Sequence, residues 1–411
     1  MADGMPGSQS GKRRISLIFF DAGGGHRNAA TALKVEIERQ GLPFEVSLVN
    51  LQEVLDPLDI LRKLTGLRIQ DLYNKMLRHG WTLGSPQLMR VLQVVIRSYH
   101  RASVRVLKKL WVETQPDLVV SLIPHFNRAL RESFDKAFPG RPFVTVLTDL
   151  ADYPEHFWIE RQPQFVVCGT ERAVEQARER GYSDKTIFKT SGMILHPRFY
   201  EPEPPNRVEE RKRLGLDPEL PTGIVLFGGY GTSKMEKILR RIDASSLQVQ
   251  LILICGRNEK LTKALRDMKT RIPIHVEGFT TNIPYFMALS DFFIGKPGPG
   301  SISEALAKRL PVIIDCNAWT LPQERYNAVW VHEKDLGVVV SSHREIVSAV
   351  AELLQPGRLP QIQQRAAAMH NRAVFEIPEI FEKILSNGSL QTVTSDRTPI
   401  KGKTVSSSFS S

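Results

Sequence analysis

Short runs of consecutive apolar residues alternate with amphipathic stretches of helix length along most of the chain. Runs of this kind are typical of parallel strands that are buried on both faces. In the first half, the predicted strands cover residues 15–20, 44–51, 117–123, 143–150 and 165–170. In the second half, they cover residues 223–229, 249–255, 272–278, 291–295 and 311–315. The alternation predicts parallel sheets with helices on both faces.

A stretch rich in proline and charged residues, 199–221, separates the two series and is interpreted as a linker. We therefore predict an α/β protein with two Rossmann-like domains, 13–198 and 222–385, that face a central cleft. The two ends, 1–12 and 386–411, are mostly polar and are predicted to be disordered. Ligands of such sheets bind at the carboxyl ends of the strands, so a cleft between two domains favours chemistry with two substrates.

The composition is that of a globular protein, with 42% hydrophobic and 24% charged residues. The sequence has no run of 18 apolar residues that would predict a membrane-spanning helix. Its first residues lack the apolar centre of a secretory signal, which favours a cytosolic location. Cys168, Cys255 and Cys316 are widely spaced beside apolar runs, so we interpret them as buried thiols rather than as metal ligands.

A surplus of positive charge, +11 overall, indicates an anionic partner. Between residues 55 and 110, lysine and arginine are interleaved with large apolar residues. Helices of that composition can lie in an anionic membrane surface, or they can be core helices with solvated basic faces. Because no nucleic-acid-binding motif accompanies the charge, we do not expect nucleic acid as a partner.

The first chemical motif is FFDAGGGHRNAA, a glycine-rich turn between the first strand and its helix. Gly24 and Gly25 allow close approach of the backbone to a ligand, and the helix start supplies unpaired N–H groups. The motif has neither the GxGxxG spacing of dinucleotide-binding folds nor the GK[ST] of a P-loop. His26 could act as a general base near neutral pH, or it could be a histidine that only caps the helix.

The second motif, FIGKPGPGSISEALAKRLPVII, opens a helix directly after a strand. The amides of Gly300, Ser301 and Ile302 are predicted to bind a diphosphate. Glu304 lies one turn into the helix, where its carboxylate can accept hydrogen bonds from ribose hydroxyls; the alternative is a capping-box partner of Ser301.

Three further motifs follow strands at the predicted cleft. The turn LFGGYGTSK contains Gly229, Gly231 and Thr232. Gln323 and Glu324 in LPQERYN can bind sugar hydroxyls, or they can belong to a solvated loop. Asp149 in VLTDL can orient His26, act as a base itself, or cap a helix.

Together these residues give the chain a resemblance to the family of monogalactosyldiacylglycerol synthases and bacterial diacylglycerol glucosyltransferases. More distantly, the chain is similar to the bacterial enzyme that adds N-acetylglucosamine to the lipid-linked peptidoglycan precursor. The resemblance covers roughly residues 14–385 and is carried by AGGGHRNAA, VLTDL, CGRN, GFTTNIPYFMALSDFFIGKPGPGSISEAL and QE. It implies a B-type glycosyltransferase fold, an inverting transfer of a hexose from a UDP-sugar to diacylglycerol, and no metal cofactor.

Carried over to this sequence, the resemblance gives each candidate a role. His26 would be the base or an acceptor contact with Asp149 nearby, and Gly278 with Phe279 would flank the uracil. Gly300 and Ser301 would hold the diphosphate, Glu304 the ribose, and Gln323 with Glu324 the sugar. Gly229, Gly231 and Thr232 would line the phosphate side of the pocket.

Two departures from the plant pattern stand out. Pro297 replaces an alanine, and LADYPEHFW follows VLTDL, which leaves the acceptor open. The sequence begins without a chloroplast transit segment, from which we expect a bacterial protein at the inner face of the cell membrane. A UDP-sugar 2-epimerase, a glycosyltransferase with a soluble acceptor and a non-catalytic binding protein are the alternatives.

Overall fold

A computed structural model describes residues 11–21, 24–56, 99–202, 204 and 206–386 of the protein. Within these residues the chain forms two six-stranded sheets whose strands are all parallel. The predicted α/β class and the two Rossmann-like domains facing a cleft are confirmed.

The first sheet has the strand order β2-β1-β3-β4-β5-β6. Its strands are β1 (Arg13–Phe19), β2 (Phe44–Asn50), β3 (Leu118–Ser121), β4 (Phe143–Val146), β5 (Phe165–Cys168) and β6 (Ile187–Lys189). The helices described around it are α1 (Gly25–Arg39), α2 (Leu51–Leu55), α3 (His100–Thr114), α4 (Asn127–Ala137) and α5 (Glu171–Glu179). The strand order reverses between β1 and β3, so the glycine-rich turn after β1 lies at the switch point where ligands bind.

The second sheet has the order β12-β11-β10-β7-β8-β9. Its strands are β7 (Thr222–Leu226), β8 (Gln250–Ile254), β9 (Ile274–Glu277), β10 (Phe292–Gly295), β11 (Val312–Asp315) and β12 (Gly337–Val340). The helices are α6 (Arg207–Arg213), α7 (Lys234–Asp243), α8 (Glu259–Arg266), α9 (Ile283–Ala288), α10 (Pro299–Ala307), α11 (Pro322–Glu333), α12 (Ile346–Leu353), α13 (Arg358–Ala368) and α14 (Ala373–Ser386). Here the switch point lies between β7 and β10, beside the start of α10.

The central strands are buried along their whole length, which explains their continuous apolar runs. Every residue of β3, β4, β8, β10 and β11 is buried. In the second domain, apolar side chains pack into separate clusters on the two faces of the sheet. A strand that must be apolar on both faces cannot show a period of two, so the runs predicted the strands correctly.

The last helix, α14, packs against the first sheet although it follows the second in sequence. Val374, Ile377 and Phe381 are buried in one cluster with Leu17 and Leu33 of the first domain. The predicted second domain, which ends at residue 385, therefore includes a helix that stabilises the other domain. The sequence shows that this helix has an apolar face, but not which of the two domains the face packs against.

The predicted linker, 199–221, also contains regular structure. It holds the end of a 3-10 helix, Pro197–Tyr200, and all of α6. Phe199 and Leu216 pack into the core of the second domain. Residues 1–10 and 387–411 of the two predicted disordered ends lie outside the described part of the chain. Among the described residues, no helix is long and apolar enough to cross a membrane.

Candidate active site

The carboxyl edges of the two sheets face each other across the cleft. The carboxylate of Asp149, which follows β4, lies close enough to Glu324 and Lys296 of the second domain for their charges to affect its pKa. The rings of Tyr153 and Tyr326, also from opposite domains, have centroids 5.2 Å apart. The structure thus brings candidate residues of the two domains close to each other.

The glycine-rich turn presents His26 in the first turn of α1. Gly24 is the N-cap residue with a φ of 83°, a left-handed conformation that glycine adopts without a steric penalty, and Gly25 begins the helix. Nδ1 of His26 lies 3.0 Å from the hydroxyl oxygen of Thr148. The imidazole also lies near the indole of Trp158, with ring centroids 5.8 Å apart.

The His26 ring is only partly accessible to solvent and is surrounded by protein atoms. Burial lowers its pKa from 6.5 to about 4, and a hydrogen bond to the backbone of Leu122 offsets this only in part. The ring is therefore neutral at pH 7 and able to accept a proton. Because its partner is the hydroxyl of Thr148 in the loop after β4, the interpretation of His26 as a simple helix cap is not what the structure shows.

Asp149 is 8% exposed and accepts a hydrogen bond of 2.8 Å from Nε1 of Trp158. Burial raises its pKa from 3.8 to about 7; the Trp158 hydrogen bond opposes this shift, and the charge of Glu324 adds to it. Asp149 caps none of the described helices. Its interpretation as a capping residue is therefore wrong, because the carboxylate is directed at the indole instead.

Helix α10 begins as the sequence predicted. Gly298 is the N-cap without a side-chain cap, and Pro299 is the first helical residue. The first-turn N–H groups of Gly300 and Ser301 have no acceptor within the helix. A Cβ built on Gly300 would meet none of the described atoms within 4 Å, so the space in front of the backbone is open. The N–H of Ile302, in contrast, donates to the Gly298 carbonyl at 3.1 Å, so its predicted phosphate contact is wrong.

Glu304 lies one turn further along α10. Ser301 does not cap the helix, and its hydroxyl donates to the Gly298 carbonyl at 3.3 Å. The capping-box alternative for Glu304 is therefore wrong. Burial alone raises the pKa of Glu304 from 4.5 to about 7, and no described side chain provides a counter-charge. A half-buried carboxyl in this state is suited to bind neutral hydroxyl groups.

The turn after β7 packs closely on the loop after β8. The Gly229 carbonyl accepts a hydrogen bond of 2.9 Å from the backbone N–H of Arg257. Gly231 has a φ of 54°, and a Cβ there would lie 2.8 Å from the Cys255 carbonyl oxygen, so only glycine fits. The Thr232 carbonyl accepts a hydrogen bond of 3.0 Å from the amide of Met235, in the first turn of α7.

Gly278 and Phe279 follow β9 at the same edge of the sheet. The Gly278 N–H donates to Oε1 of Glu277 at 3.0 Å. Phe279 is 57% exposed, and the Arg257 guanidinium carbon lies 4.8 Å from the centre of its ring. An exposed aromatic ring beside a cation is a suitable surface for a planar base.

Gln323 and Glu324 lie in the first turn of α11, so their interpretation as a solvated loop is wrong. Glu324 accepts a hydrogen bond of 2.8 Å from Nζ of Lys296 and is largely buried. Oε1 of Gln323 is buried without a hydrogen-bond partner among the described residues. Buried amide oxygens normally accept a hydrogen bond, and because this one has no donor within the described protein, it is available to a ligand hydroxyl.

Two residues of the site are not singled out by the sequence: Lys296, after β10 of the second sheet, and His125, after β3 of the first sheet. Lys296 stands in the KPGPGS motif, but its partner Glu324 is 28 positions away and becomes adjacent only in the fold. His125 follows β3 with a φ of 66°. Its Nε2 is buried and has no hydrogen-bond partner within the described ranges. Nothing in the sequence pattern indicates a positive φ at this histidine, and no motif contains it.

Only part of the predicted basic region, 55–110, lies within the described residues, because 57–98 fall outside them. Helix α3 covers its end. The side chains of Val104, Leu107 and Trp111 are buried in the core of the first domain, while Arg101 and Arg105 are exposed. For α3, the core-helix interpretation is therefore correct, and its apolar face is not available to a membrane.

Comparisons with known proteins agree with this arrangement. Residues 26–193 match the family model for monogalactosyldiacylglycerol synthase, and residues 224–384 match the C-terminal domain of glycosyltransferase family 28. The chloroplastic monogalactosyldiacylglycerol synthase of Spinacia oleracea is 28% identical over 91% of this chain and 73% of its own length. Monogalactosyldiacylglycerol synthase 1 of Arabidopsis thaliana is also 28% identical, over 89% and 70%. These plant relatives give no support to the expected bacterial origin.

Solved structures show the same fold. MurG of Acinetobacter baumannii has a TM-score of 0.57 at 12% identity, covering 90% of this chain and 99% of that one. The calicheamicin glycosyltransferase has 0.58 at 15%, covering 93% and 100%. The UDP-GlcNAc 2-epimerase of Neisseria meningitidis has 0.54 at 15%, covering 90% and 100%. The chain thus resembles monogalactosyldiacylglycerol synthases over its first half and the C-terminal domain of glycosyltransferase family 28 over its second half, and it is a glycosyltransferase of the B-type fold that uses a UDP-sugar.

Proposed function

We propose that this enzyme transfers a hexose, with inversion, from a UDP-sugar to a membrane lipid, and that the lipid is diacylglycerol. The observation that carries the proposal is the proximity across the cleft of Asp149 to the Lys296–Glu324 pair beside the start of α10, with the neutral imidazole of His26 near the same Trp158 that binds Asp149. The relatives named as monogalactosyldiacylglycerol synthases support the choice of lipid and favour galactose as the sugar.

The proposed reaction is a single displacement. The acceptor hydroxyl oxygen attacks the anomeric carbon, the bond from that carbon to the UDP oxygen breaks, and the configuration inverts. The hydroxyl proton passes to His26 or Asp149. The negative charge on the departing diphosphate is stabilised by the N–H groups of Gly300 and Ser301 and by the ammonium group of Lys296.

Both base candidates have a suitable protonation state. His26, with a pKa of about 4, is neutral at pH 7 and can accept a proton. Asp149, with a pKa of about 7, is partly ionised there, although one of its oxygens accepts from Trp158. Asp149 has the pKa closer to neutrality and is the stronger base of the two. A neutral base avoids placing a second negative charge beside the diphosphate, and on this electrostatic ground we favour His26.

On the donor side, we propose that Phe279 and Gly278 contact the base and that Glu304 accepts from the ribose hydroxyls. Gly229, Gly231 and Thr232 line the phosphates, while Gln323 and Glu324 bind the sugar. Gly24 and Gly25 leave room for the acceptor beside His26. The unpartnered Oε1 of Gln323 supports the sugar contact, because a hydroxyl there would satisfy it.

The test is a panel of UDP-galactose, UDP-glucose and UDP-N-acetylglucosamine, each incubated with vesicles that contain diacylglycerol. Mass detection of a glycolipid, with its anomeric configuration determined by NMR, supports the proposal when the linkage is opposite to that of the donor. Retention of configuration would contradict the mechanism. A parallel incubation without acceptor distinguishes an epimerase, which would convert UDP-N-acetylglucosamine on its own.

Two further parts of the proposal concern conditions. We propose that the reaction needs no metal cofactor, so EDTA should leave the initial rate unchanged. We also propose that the enzyme binds the cytoplasmic face of a membrane peripherally, through the basic region of the first domain. Cosedimentation with anionic vesicles, but not with neutral ones, and its loss at high salt would support this.

A further inference from the structure

One direct contact between the two domains joins the segments that carry Asp149 and Glu324, and the reaction proposed above makes no use of it. The rings of Tyr153 and Tyr326 have centroids 5.2 Å apart and are inclined by 41°. Tyr153 lies four positions after Asp149, and Tyr326 lies two positions after Glu324. Each ring therefore belongs to the same short segment as one of the candidate reacting groups.

Tyr153 is held firmly by the first domain. The Tyr153 hydroxyl oxygen accepts a hydrogen bond of 3.2 Å from Nε of Arg172, which is itself paired with Glu175 on α5. The preceding residue, Asp152, exchanges two hydrogen bonds with the side chain of Gln176, of 2.8 and 3.0 Å. The segment that leads from Asp149 to Tyr153 is thus fastened to α5 at both its backbone and its ring.

Tyr326 is held equally firmly by the donor side. It lies on α11 and packs against the core of the second domain. The next residue, Asn327, is fully buried and donates a hydrogen bond of 2.7 Å to the Pro297 carbonyl, just before α10. Glu324 on the same helix is bound to Lys296. Helix α11 and the loop that leads to Gly300 are therefore one rigid unit.

We propose that Tyr153 and Tyr326 are positioning residues, whose contact fixes the distance between the donor unit and the acceptor-side groups His26 and Asp149. Contacting aromatic rings are worth more than their buried area alone, and each ring here stands on an immobilised support. Displacement of reacting groups by about 1 Å can cost about 100-fold in rate, so a contact at this place has a large effect on transfer. This inference rests on the proposed glycosyl transfer.

The kinetic experiment compares Tyr326→Ala and Tyr153→Ala with Tyr326→Phe. We expect each alanine variant to lower kcat about 10- to 100-fold, while UDP affinity, measured by calorimetry, stays within about threefold because the donor unit is intact. Tyr326→Phe keeps the ring and should stay within about threefold of the native rate. The double alanine variant should be no slower than the slower single one. Multiplied effects in the double variant, or equal losses of kcat and UDP affinity, would overturn the proposal.

A second measurement is independent of any reaction. Nitroxide labels on Arg178→Cys of α5 and Glu333→Cys of α11, in a Cys316→Ser background, report the distance between the domains by double electron–electron resonance. Both labelled positions are exposed. We expect a narrower distance distribution for the labelled protein with both native tyrosines, and for its Tyr326→Phe variant, than for its Tyr326→Ala variant. Equal widths in all three proteins would refute the positioning role of the contact, even if no acceptor is found. A broader distribution in Tyr326→Ala, in an enzyme that shows no transferase activity, would support the positioning role and refute the proposed reaction.

Discussion

The two sheet edges that meet in the cleft present different kinds of chemical group. In the proposed reaction, the acceptor side depends on the partly accessible His26 and the buried Asp149, and burial shifts the pKa of each so that its neutral form is favoured. The donor side, in the same proposal, depends on backbone N–H groups at the start of α10 and on the ion pair of Lys296 with Glu324. Fixed dipoles and paired charges suit a permanently anionic diphosphate, whereas groups with displaced pKa values suit the transfer of a proton.

This difference predicts that variants of the first edge change turnover, while variants of the second change donor binding as well. The largest effect is expected for His26→Ala. Loss of a general base should lower kcat about 10²- to 10⁴-fold, with UDP affinity within about twofold of native. Steady-state kinetics and calorimetry check this, with His332→Ala, an exposed histidine of α11, as the control. A parallel loss of UDP affinity would place His26 on the donor side and erase the distinction.

Lys296→Met should give the next largest effect, because it removes a positive charge from the edge that receives the diphosphate. We expect a loss of about 10²-fold in kcat/KM, together with weaker UDP binding. Lys269→Met, an exposed lysine of the same domain, is the matched control. If calorimetry shows native affinity for UDP in Lys296→Met, this lysine does not serve the donor.

Glu304→Gln should weaken UDP binding about tenfold and at the same time stabilise the free protein at high pH. The pKa of Glu304 is raised from 4.5 to about 7, so the folded state binds more protons between these pH values and loses stability as the pH rises through them. At pH 8 the glutamine variant should be more stable by about 1 to 3 kcal/mol, and at pH 4, below the pKa of the unfolded state, the difference should nearly vanish. Urea denaturation at both pH values measures this; an equal difference at the two would contradict the assignment.

The smallest effect is expected for Trp158→Phe, which tests whether Asp149 takes part. The indole hydrogen bond lowers the pKa of Asp149, so its removal should raise that pKa further. If Asp149 must be ionised, the acidic limb of the kcat/KM profile moves to higher pH, with a loss of about three- to tenfold at pH 6 and little change at pH 9. An unmoved limb would leave His26 as the sole base.

Most of the fold was predictable from the sequence because both sheets are parallel and buried. Strands such as β8 and β11 consist of apolar runs that have no other simple interpretation. Two strands escaped prediction. β6 is only three residues long, IFK, and too short for any pattern. β12 begins at Gly337, where a Cβ would lie 1.9 Å from the Val312 carbonyl oxygen, so its glycine reflects a close approach between strands rather than a turn.

The site was predictable where it depends on the backbone and not where it depends on long-range partners. Glycine turns and helix starts are local, so the edge of the second sheet could be located from KPGPGS alone. Lys296 with Glu324, and Asp149 with Trp158, form pairs that only the folded chain defines. The same limit applies to α14: its apolar face can be predicted from neighbouring residues, but its packing against the first domain cannot.

The most direct test of the proposed roles of the two sheet edges is a crystal structure of the enzyme with UDP bound. We expect the diphosphate to accept hydrogen bonds from the N–H groups of Gly300 and Ser301 near Lys296, while His26 remains clear of the nucleotide and faces the space left for an acceptor. A diphosphate bound at the glycine turn beside His26, with the start of α10 empty, would contradict it.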